Sequence, residues 1–109
     1  MRMMLHVVMP VETANAAIRS GQFAPFIQKT LGDLKPEAVY FTEDHGTRSG
    51  YIFFDMKDAS QLPAIAEPWF LALKARLTVK PAMTAQDFAG AAGAGIEAAA
   101  KAHPKTFGS

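Results

Sequence analysis

The chain has 109 residues, of which half are apolar and 19% are charged, and this composition suits one globular domain with a single core. Lysine and arginine total 11 against 10 aspartates and glutamates, so no strong charge favours nucleic acid or an anionic membrane as partner. The sequence has no cysteine, which excludes disulfides and thiolate chemistry, and no apolar stretch approaches the roughly 18 residues that span a bilayer, so we expect a soluble cytoplasmic protein.

The first predicted strand covers residues 3–9, where apolar residues occupy both alternating positions. Such a pattern is typical of a central strand that is covered on both faces. A helical region follows over residues 12–34, with apolar side chains at spacings of three and four. Gly21 and Pro25 interrupt it, so we expect a short helix near residues 13–20 and then a second helical piece.

The middle of the chain predicts a β-hairpin. Residues 38–43 are β-branched and aromatic, as is common in strands, and residues 51–56 repeat that composition. Between them, residues 44–50 are polar and contain two glycines, which indicates a long loop. We therefore expect two antiparallel strands that are joined by a seven-residue connection.

A further helix and a fourth strand are predicted after the hairpin. Apolar residues at helical spacing between Leu62 and Leu73 mark the helix, which Asp58 or Ser60 can cap. Pro68 lacks an N–H and crowds the preceding turn, so we expect the helix to bend there. Residues 75–83 then alternate apolar and polar side chains, which is typical of a half-buried strand.

These elements occur in the order βαββαβ, which predicts a ferredoxin-like α+β fold. Its four-stranded antiparallel sheet has the strand order 4-1-3-2, with both helices on one face. We assign this domain to residues 1–85. Residues 86–109 form a tail that is rich in alanine and glycine and cannot build a core of its own, so we expect it to be partly helical or disordered.

Strand alternation assigns each strand residue to one of the two sheet faces. The residues expected under the helices are Leu5, Val7, Val39, Phe41, Ile52, Phe54, Leu77 and Val79. The residues on the opposite face, which we call the open face, are Met4, His6, Val8, Tyr40, Thr42, Tyr51, Phe53, Asp55, Thr78 and Lys80. Nothing in the chain covers the open face, and apolar patches of this size are interfaces or ligand cavities in soluble proteins. We therefore expect a homodimer.

With this topology and these two faces, residues 3–83 resemble the dimeric α+β barrel superfamily. In that superfamily, two ferredoxin-like sheets face each other and enclose a small-molecule site. The resemblance implies a homodimer with an internal cavity. The superfamily includes antibiotic-biosynthesis-type monooxygenases, muconolactone isomerase-like enzymes and haem proteins, so the resemblance does not select one activity.

The segments KPEAVYFTE (residues 35–43) and AEPWF (residues 66–70) also resemble a group of short proteobacterial proteins of unassigned function. This resemblance implies a bacterial protein. Some members of the group carry the label pantothenate synthetase. That enzyme needs a Rossmann-type ATP-binding domain with a glycine-rich nucleotide loop. This chain is too short for such a domain and has no such loop. We therefore do not extend that activity to this chain.

The candidate catalytic residues are His6 and Asp55 on the open face. An imidazole titrates near neutral pH, and a neighbouring carboxylate would let His6 act as a general base. A hydrogen-bonded interface histidine is the alternative interpretation. The residues expected to contact a ligand, or to pack in the dimer interface, are Tyr40, Tyr51, Phe53 and Lys80.

A metal site is the second kind of site that the residue types suggest. Glu43, Asp44 and His45 lie together in the predicted hairpin loop, and carboxylates and imidazoles are common metal ligands. Adjacent side chains at the end of a strand point in different directions, however. We therefore expect a solvated loop and no metal.

Three functions are compatible with these residues. The favoured one is a homodimer that binds a small organic molecule in its cavity without a cofactor. The second is a cofactor-independent isomerase or monooxygenase-like enzyme with His6 as its base. The third is RNA binding, because RNA-recognition motifs share this topology and residues 50–54 partly resemble their third-strand signature. Ser49 and Ile52 depart from that signature, so we expect no nucleic-acid partner.

Overall fold

The structure, a computed structural model, describes residues 1–108, and Ser109 at the end of the predicted tail lies outside the described residues. Its helices and strands confirm the α+β class. The elements in chain order are β1 (Arg2–Val8), α1 (Val11–Arg19), α2 (Phe23–Leu34), β2 (Ala38–Asp44), β3 (Thr47–Asp55), α3 (Leu62–Leu73), β4 (Arg76–Pro81), α4 (Ala85–Asp87) and α5 (Gly93–Ala102). A short 3₁₀ turn (Ala59–Gln61) precedes α3, and a π-helical turn (Phe88–Ala92) with a non-helical kink at Gly90 joins α4 to α5.

The four strands form one antiparallel sheet in the order β2-β3-β1-β4. Read from the opposite edge, this order has the same neighbours as the predicted 4-1-3-2. β1 lies inside the sheet, where Leu5 pairs with Ile52 of β3 and with Val79 of β4. β1 is covered on the helix side, where Leu5 and Val7 are buried, whereas Met4 and His6 on its other face are half-buried. The cover on both faces that the sequence predicted is therefore incomplete within residues 1–108.

The core lies between one face of the sheet and the helices α1, α2 and α3. Phe26 of α2 meets Trp69 of α3 edge to face, with ring centroids 5.3 Å apart and an interplanar angle of 89°. Such aromatic pairs stabilise a core beyond the area they bury. The buried apolar residues of this cluster are Met3, Leu5, Val7, Met9, Ala14, Ile52, Phe54, Met56, Trp69, Leu73 and Ala75.

One residue that was predicted to lie under the helices is exposed instead. Phe41 leaves 55% of its surface accessible, although Val39, two residues earlier, packs against the core. β2 is an edge strand, so Phe41 has a strand neighbour on one side only. That neighbour is Gly50, where an added Cβ would lie 3.2 Å from the Phe41 ring. The ring therefore covers the glycine and keeps its other side open.

The predicted interruption of the first helical region is confirmed. α1 ends at Arg19 and α2 begins at Phe23. Gly21 between them has a φ of 77°, a value that most side chains disfavour. Pro25 lies in the first turn of α2, where its missing N–H breaks no helical hydrogen bond.

Asp58 is the residue that caps the third helical region. Its carboxylate accepts the Ser60 N–H at 2.8 Å, and the Gln61 side chain accepts the Asp58 N–H at 3.2 Å. The hydrogen bond from the Ser60 backbone lowers the pKa of Asp58. Pro68 does not end the helix, since α3 continues through it to Leu73.

The predicted seven-residue hairpin loop was wrong. β2 continues to Asp44 and β3 begins at Thr47, so that only His45 and Gly46 form the turn. Both have a positive φ, 51° and 82°, as the two central residues of a type I′ hairpin turn do. The polar composition of these residues misled the prediction, because polar residues can also occupy paired strand positions at the end of a hairpin. Thr42 of β2 and Ser49 of β3 are paired in this way.

The turn gives a first testable prediction. Gly46→Ala should lower the free energy of unfolding by about 1 kcal/mol, because a Cβ disfavours a left-handed backbone. Gly32→Ala is the matched control inside α2, where an added Cβ meets nothing within 4 Å, and it should stabilise by about 0.5–1 kcal/mol. Urea denaturation at one protein concentration measures both changes, and a G46A variant as stable as the parent would contradict the turn geometry.

The tail extends away from the sheet domain. It was predicted to be partly helical or disordered, and it is helical over Gly93–Ala102. The radius of gyration is 18.3 Å, whereas a compact chain of this length has about 13 Å. No helix within residues 1–108 is long and apolar enough to cross a membrane.

Candidate ligand site on the open face

Cross-strand pairing brings the predicted ligand-contacting residues around His6. His6 pairs with Tyr51 of β3 and with Thr78 of β4, and Tyr51 pairs in turn with Tyr40 of β2. The next row of the same face contains Ala38, Phe53, Met4 and Lys80. Directly opposite side chains in such pairs have Cβ atoms about 5 Å apart. Tyr40, Tyr51, Phe53 and Lys80 therefore occupy two adjacent rows of one surface.

Two contacts fix the His6 imidazole. Its ring stacks on Tyr51 with centroids 4.3 Å apart and an interplanar angle of 3°. Its Nε2 lies 2.7 Å from the Ser49 Oγ. A hydroxyl can donate or accept, so either neutral imidazole tautomer satisfies this hydrogen bond. The imidazole ring of His6 is therefore held in one orientation on the open face.

Ser49 is the site residue that the sequence analysis missed. It is only 1% exposed, and His6 is the partner of its hydroxyl. A buried hydroxyl needs such a partner, because an unsatisfied one is costly. Ser49 fell in the predicted loop, but alternation from Phe53 and Tyr51 assigns it to the open face because β3 begins at Thr47. A predicted β3 that began at Thr47 and not at Tyr51 would have placed Ser49 on the same face as His6.

Asp55 does not lie beside His6 within one chain. It pairs with Arg2, four residues along β3 from Tyr51, which corresponds to about 13 Å of strand. Its carboxylate accepts a 2.8 Å hydrogen bond from the terminal ammonium of Met1. This hydrogen bond lowers the pKa of Asp55. The hydrogen-bonding partner of His6 in the structure is therefore Ser49, and the predicted pair with Asp55 is not formed.

Both apolar and polar side chains are accessible on the open face. Met4, His6, Tyr51 and Phe53 are half-buried, whereas Tyr40 leaves 64% of its surface accessible and Lys80 is also exposed. The helices pack on the opposite face. Aromatic and polar side chains are therefore accessible to a partner or ligand in a single copy.

The hairpin cluster forms local hydrogen bonds. The His45 Nδ1 lies 2.8 Å from a carboxylate oxygen of Asp44, and Glu43 accepts the Gly46 N–H at 2.6 Å. Each side chain is thus engaged with its own turn. Within residues 1–108, no three histidines or carboxylates are grouped in a way that could hold a metal ion.

Two clefts of a single copy lie elsewhere. One, of about 480 Å³, is lined by Phe26, Leu34 and Ile65 of α2 and α3 and reaches Asp55. The other, of about 400 Å³, lies between α2 and the end of β2, with Phe23 and Phe41 in its walls. Neither includes His6. An enclosed cavity at His6 therefore requires a second surface opposite the open face.

The sheet and its helices define the class of protein. They form an α+β domain with four antiparallel strands and helices on one face, which is compatible with a ferredoxin-like fold. In comparisons with known proteins, no family model matches the chain and no curated protein matches it.

Proposed function

We propose that the protein is a homodimer whose two open faces enclose a binding site for a small organic molecule. The observation that carries this proposal is the cluster of His6, Ser49 and Tyr51 on the sheet face opposite the helices α1, α2 and α3. A stacked and hydrogen-bonded histidine supplies an oriented polar group on a largely apolar surface. Ligand sites commonly combine apolar walls with a few oriented polar groups.

The distribution of residues on the open face supports a second copy as its cover. The inner strands β1 and β3 contribute the half-buried Met4 and Phe53, while the edge strands contribute polar residues such as Thr42 and Lys80. An apolar centre with a polar rim is the usual composition of a protein interface. Two copies related by a two-fold axis would bury the apolar centre of both sheets at once.

The chemistry of the face favours a flat ligand with an anionic or hydrogen-bonding oxygen. The parallel rings of His6 and Tyr51 offer a planar surface on which an aromatic ligand can stack. Lys80 lies in the adjacent row, so a negatively charged group is complementary there. The proposal includes no cofactor.

Native mass spectrometry and a fluorescent probe test this proposal. We expect the purified dimer to retain a small molecule, or to bind the aromatic sulfonate 1-anilinonaphthalene-8-sulfonate. His6→Ala should weaken probe binding at least about tenfold, because it removes both the stacking surface and the oriented polar group. Phe41→Ala is the matched control, since Phe41 is an exposed aromatic residue in the cleft on the helix side.

Two outcomes would contradict the ligand site. Binding that is lost with Phe41→Ala and kept with His6→Ala would place the probe in the helix-side cleft. A parent dimer that neither retains a small molecule nor binds the probe would indicate an interface filled by side chains.

A cofactor-independent isomerase or oxygenase is the second candidate. The hydrogen bond between His6 and Ser49 supports it, because a general base must be held in a fixed orientation. Without a neighbouring Asp55, the imidazole would act with the Ser49 hydroxyl, which is its only polar partner within residues 1–108. Exchange of solvent deuterium into a recovered ligand, by the parent protein and not by the His6→Ala variant, would distinguish an isomerase from a binding protein.

A further inference from the structure

Residues 83–108 form a segment, here called the helical arm, that projects from the sheet domain. The longest dimension of the molecule is 59 Å and the next is 32 Å. The arm kinks at Gly90, whose backbone is not helical (φ −88°, ψ −114°), so it is not one straight helix. Beyond the kink, α5 has 10 residues and a length of about 15 Å at 1.5 Å per residue. Among the described residues, the substantial contacts of α5 are with the preceding π-helical turn and not with the sheet, so the arm extends outward.

The base of the arm is fixed at the edge of the open face. The Ala82 N–H donates to the Arg2 carbonyl at 3.0 Å, and the Arg2 guanidinium lies 3.9 Å from the Asp87 carboxylate. Thr84 and Asp87 cap each other's backbone N–H groups, and the hydrogen bond from the Thr84 backbone lowers the pKa of Asp87. By alternation, Arg2 belongs to the same face as Met4 and His6. The arm therefore leaves the domain on the side that we propose to be the dimer interface.

The rest of the arm has little support from its own chain. Among the described residues, the substantial tertiary contacts of α5 are those with the preceding π-helical turn. α5 has only 10 residues, and isolated helices this short are marginal in water. Its first turn contains Gly93 and Gly95, and glycine disfavours a helix further. A surface that packs against the helix would be needed to keep it formed.

The helical part of the arm exposes two large apolar side chains, which we call the apolar pair of the arm. Phe88 precedes the kink at Gly90 and Ile96 lies in α5, and each leaves 55% of its surface accessible. Most other arm residues up to position 102 are alanine or glycine, which allows a close approach to another surface. Two exposed apolar side chains on a projecting arm point to an apolar binding surface outside the chain's own domain.

We infer that the helical arm of each copy packs along the second copy in the dimer. This inference rests on the proposed homodimer and adds a second contact to it. A second copy is favoured because the arm begins beside the open face, where that copy would lie. In a two-fold dimer both arms exchange at once, so the exposed apolar residues of both arms are buried together. The near absence of charge between residues 88 and 96 argues against a nucleic acid or another highly charged partner.

Hydrogen exchange on the full chain tests the arm directly. Above the dissociation constant of the dimer, we expect the amides of residues 93–102 to exchange at least about tenfold more slowly than below it. A helix that is supported only within its own copy would give exchange rates that do not depend on protein concentration. That result would overturn the inference.

A pair of variants on α5 provides the matched comparison. Ile96→Glu should raise the dimer dissociation constant at least about tenfold in sedimentation equilibrium, because two buried isoleucines are lost from each dimer. Ala98→Glu adds the same charge about 200° around the helix and should change the constant less than threefold. Equal effects of the two substitutions would overturn the inference. Neither should unfold the domain, since α5 lies outside its core.

A self-cross-link separates this inference from the proposed face-to-face dimer. The chain has no cysteine, so Tyr51→Cys introduces a single thiol on the open face. If Cys cross-linking at position 51 joins two copies while residues 93–102 remain unprotected, the dimer stands and the arm inference fails. If residues 93–102 are protected in a concentration-dependent way and position 51 does not cross-link, the arm inference stands and the face-to-face arrangement fails.

Discussion

Replacing Phe53 with glutamate should convert the dimer into monomers or insoluble protein. Phe53 lies in the inner strand β3, directly opposite Met4, and is half-buried even in a single copy. Opposite a second sheet it would be fully buried, and an unpaired buried carboxylate costs several kcal/mol. Each dimer would contain two such charges. We therefore expect the dissociation constant to rise at least about a hundredfold, as measured by light scattering after size-exclusion chromatography.

Leu71→Glu is the control for this substitution. Leu71 is a large apolar residue that leaves 81% of its surface accessible, but it lies on α3 on the other side of the sheet. The same charge there should leave the dimer intact. A Phe53→Glu protein that remains dimeric would show that the open face is not the interface. A Leu71→Glu protein that becomes monomeric would place the interface on the helices.

The interface prediction also determines what the His6 cluster can do. On a single sheet, His6 and Tyr51 are half-buried and form one wall of a site. A second sheet would supply the opposite wall and exclude water, which strengthens every polar contact inside. If Phe53→Glu yields soluble monomers, these should lose ligand binding even though His6, Ser49 and Tyr51 are unchanged. Loss of binding together with loss of the dimer would therefore connect assembly to function.

Much of the fold was predictable because strong periodicity and backbone constraints act locally. The interruption between α1 and α2 follows from Gly21 and Pro25, whose backbone preferences do not depend on the rest of the chain. The apolar character of β1 at both alternating positions likewise indicated a central strand, and β1 lies between β3 and β4. Asp58 as the cap was one of two local alternatives.

The hairpin and Phe41 were not predictable by the same means. Residues 44–50 were predicted to be a loop because of their polar and glycine-containing composition. His45 and Gly46 both adopt a positive φ, however, so the two strands extend as far as a two-residue turn. Alternation assigned Phe41 to the correct face but could not show that an edge position leaves it exposed. Both errors concern how the strands pair across the hairpin, which the alternation of side chains along one strand does not show.

The candidate site was predicted in part for the same reason. His6, Tyr51 and Phe53 were assigned to one face by alternation, and cross-strand pairing brings them into adjacent rows. The partner of His6 depended on register. Register places Asp55 opposite Arg2, whereas Ser49 comes within 2.7 Å of the imidazole. A single sequence specifies faces well, but it specifies register only through turn geometry, which had been misassigned here.

The second large effect is expected at Trp69, in the core between α3 and α2. Trp69 is 1% exposed and packs its ring edge to face with Phe26. Trp69→Ala should lower the free energy of unfolding by about 3–5 kcal/mol, because it leaves a cavity that the surrounding helices cannot fill. This is a large share of the 5–15 kcal/mol that is usual for a domain. Circular dichroism in urea measures it, since Trp69 is the only tryptophan and its fluorescence is lost.

Two further substitutions separate packing from hydrogen bonding at this position. The indole Nε1 is buried without a hydrogen-bond partner among the described residues, and an unsatisfied buried donor costs about 1–3 kcal/mol. Trp69→Phe removes this donor while keeping an aromatic ring, so it should cost much less than Trp69→Ala. Phe70→Ala, at an adjacent residue that is 42% exposed, should cost less than about 1 kcal/mol. If Trp69→Ala costs no more than Phe70→Ala, α3 does not pack on the sheet through Trp69, and the assignment of all three helices to one face loses its main support. Because the open face exists only if the helices occupy the other one, that result would also remove the physical basis for the dimer.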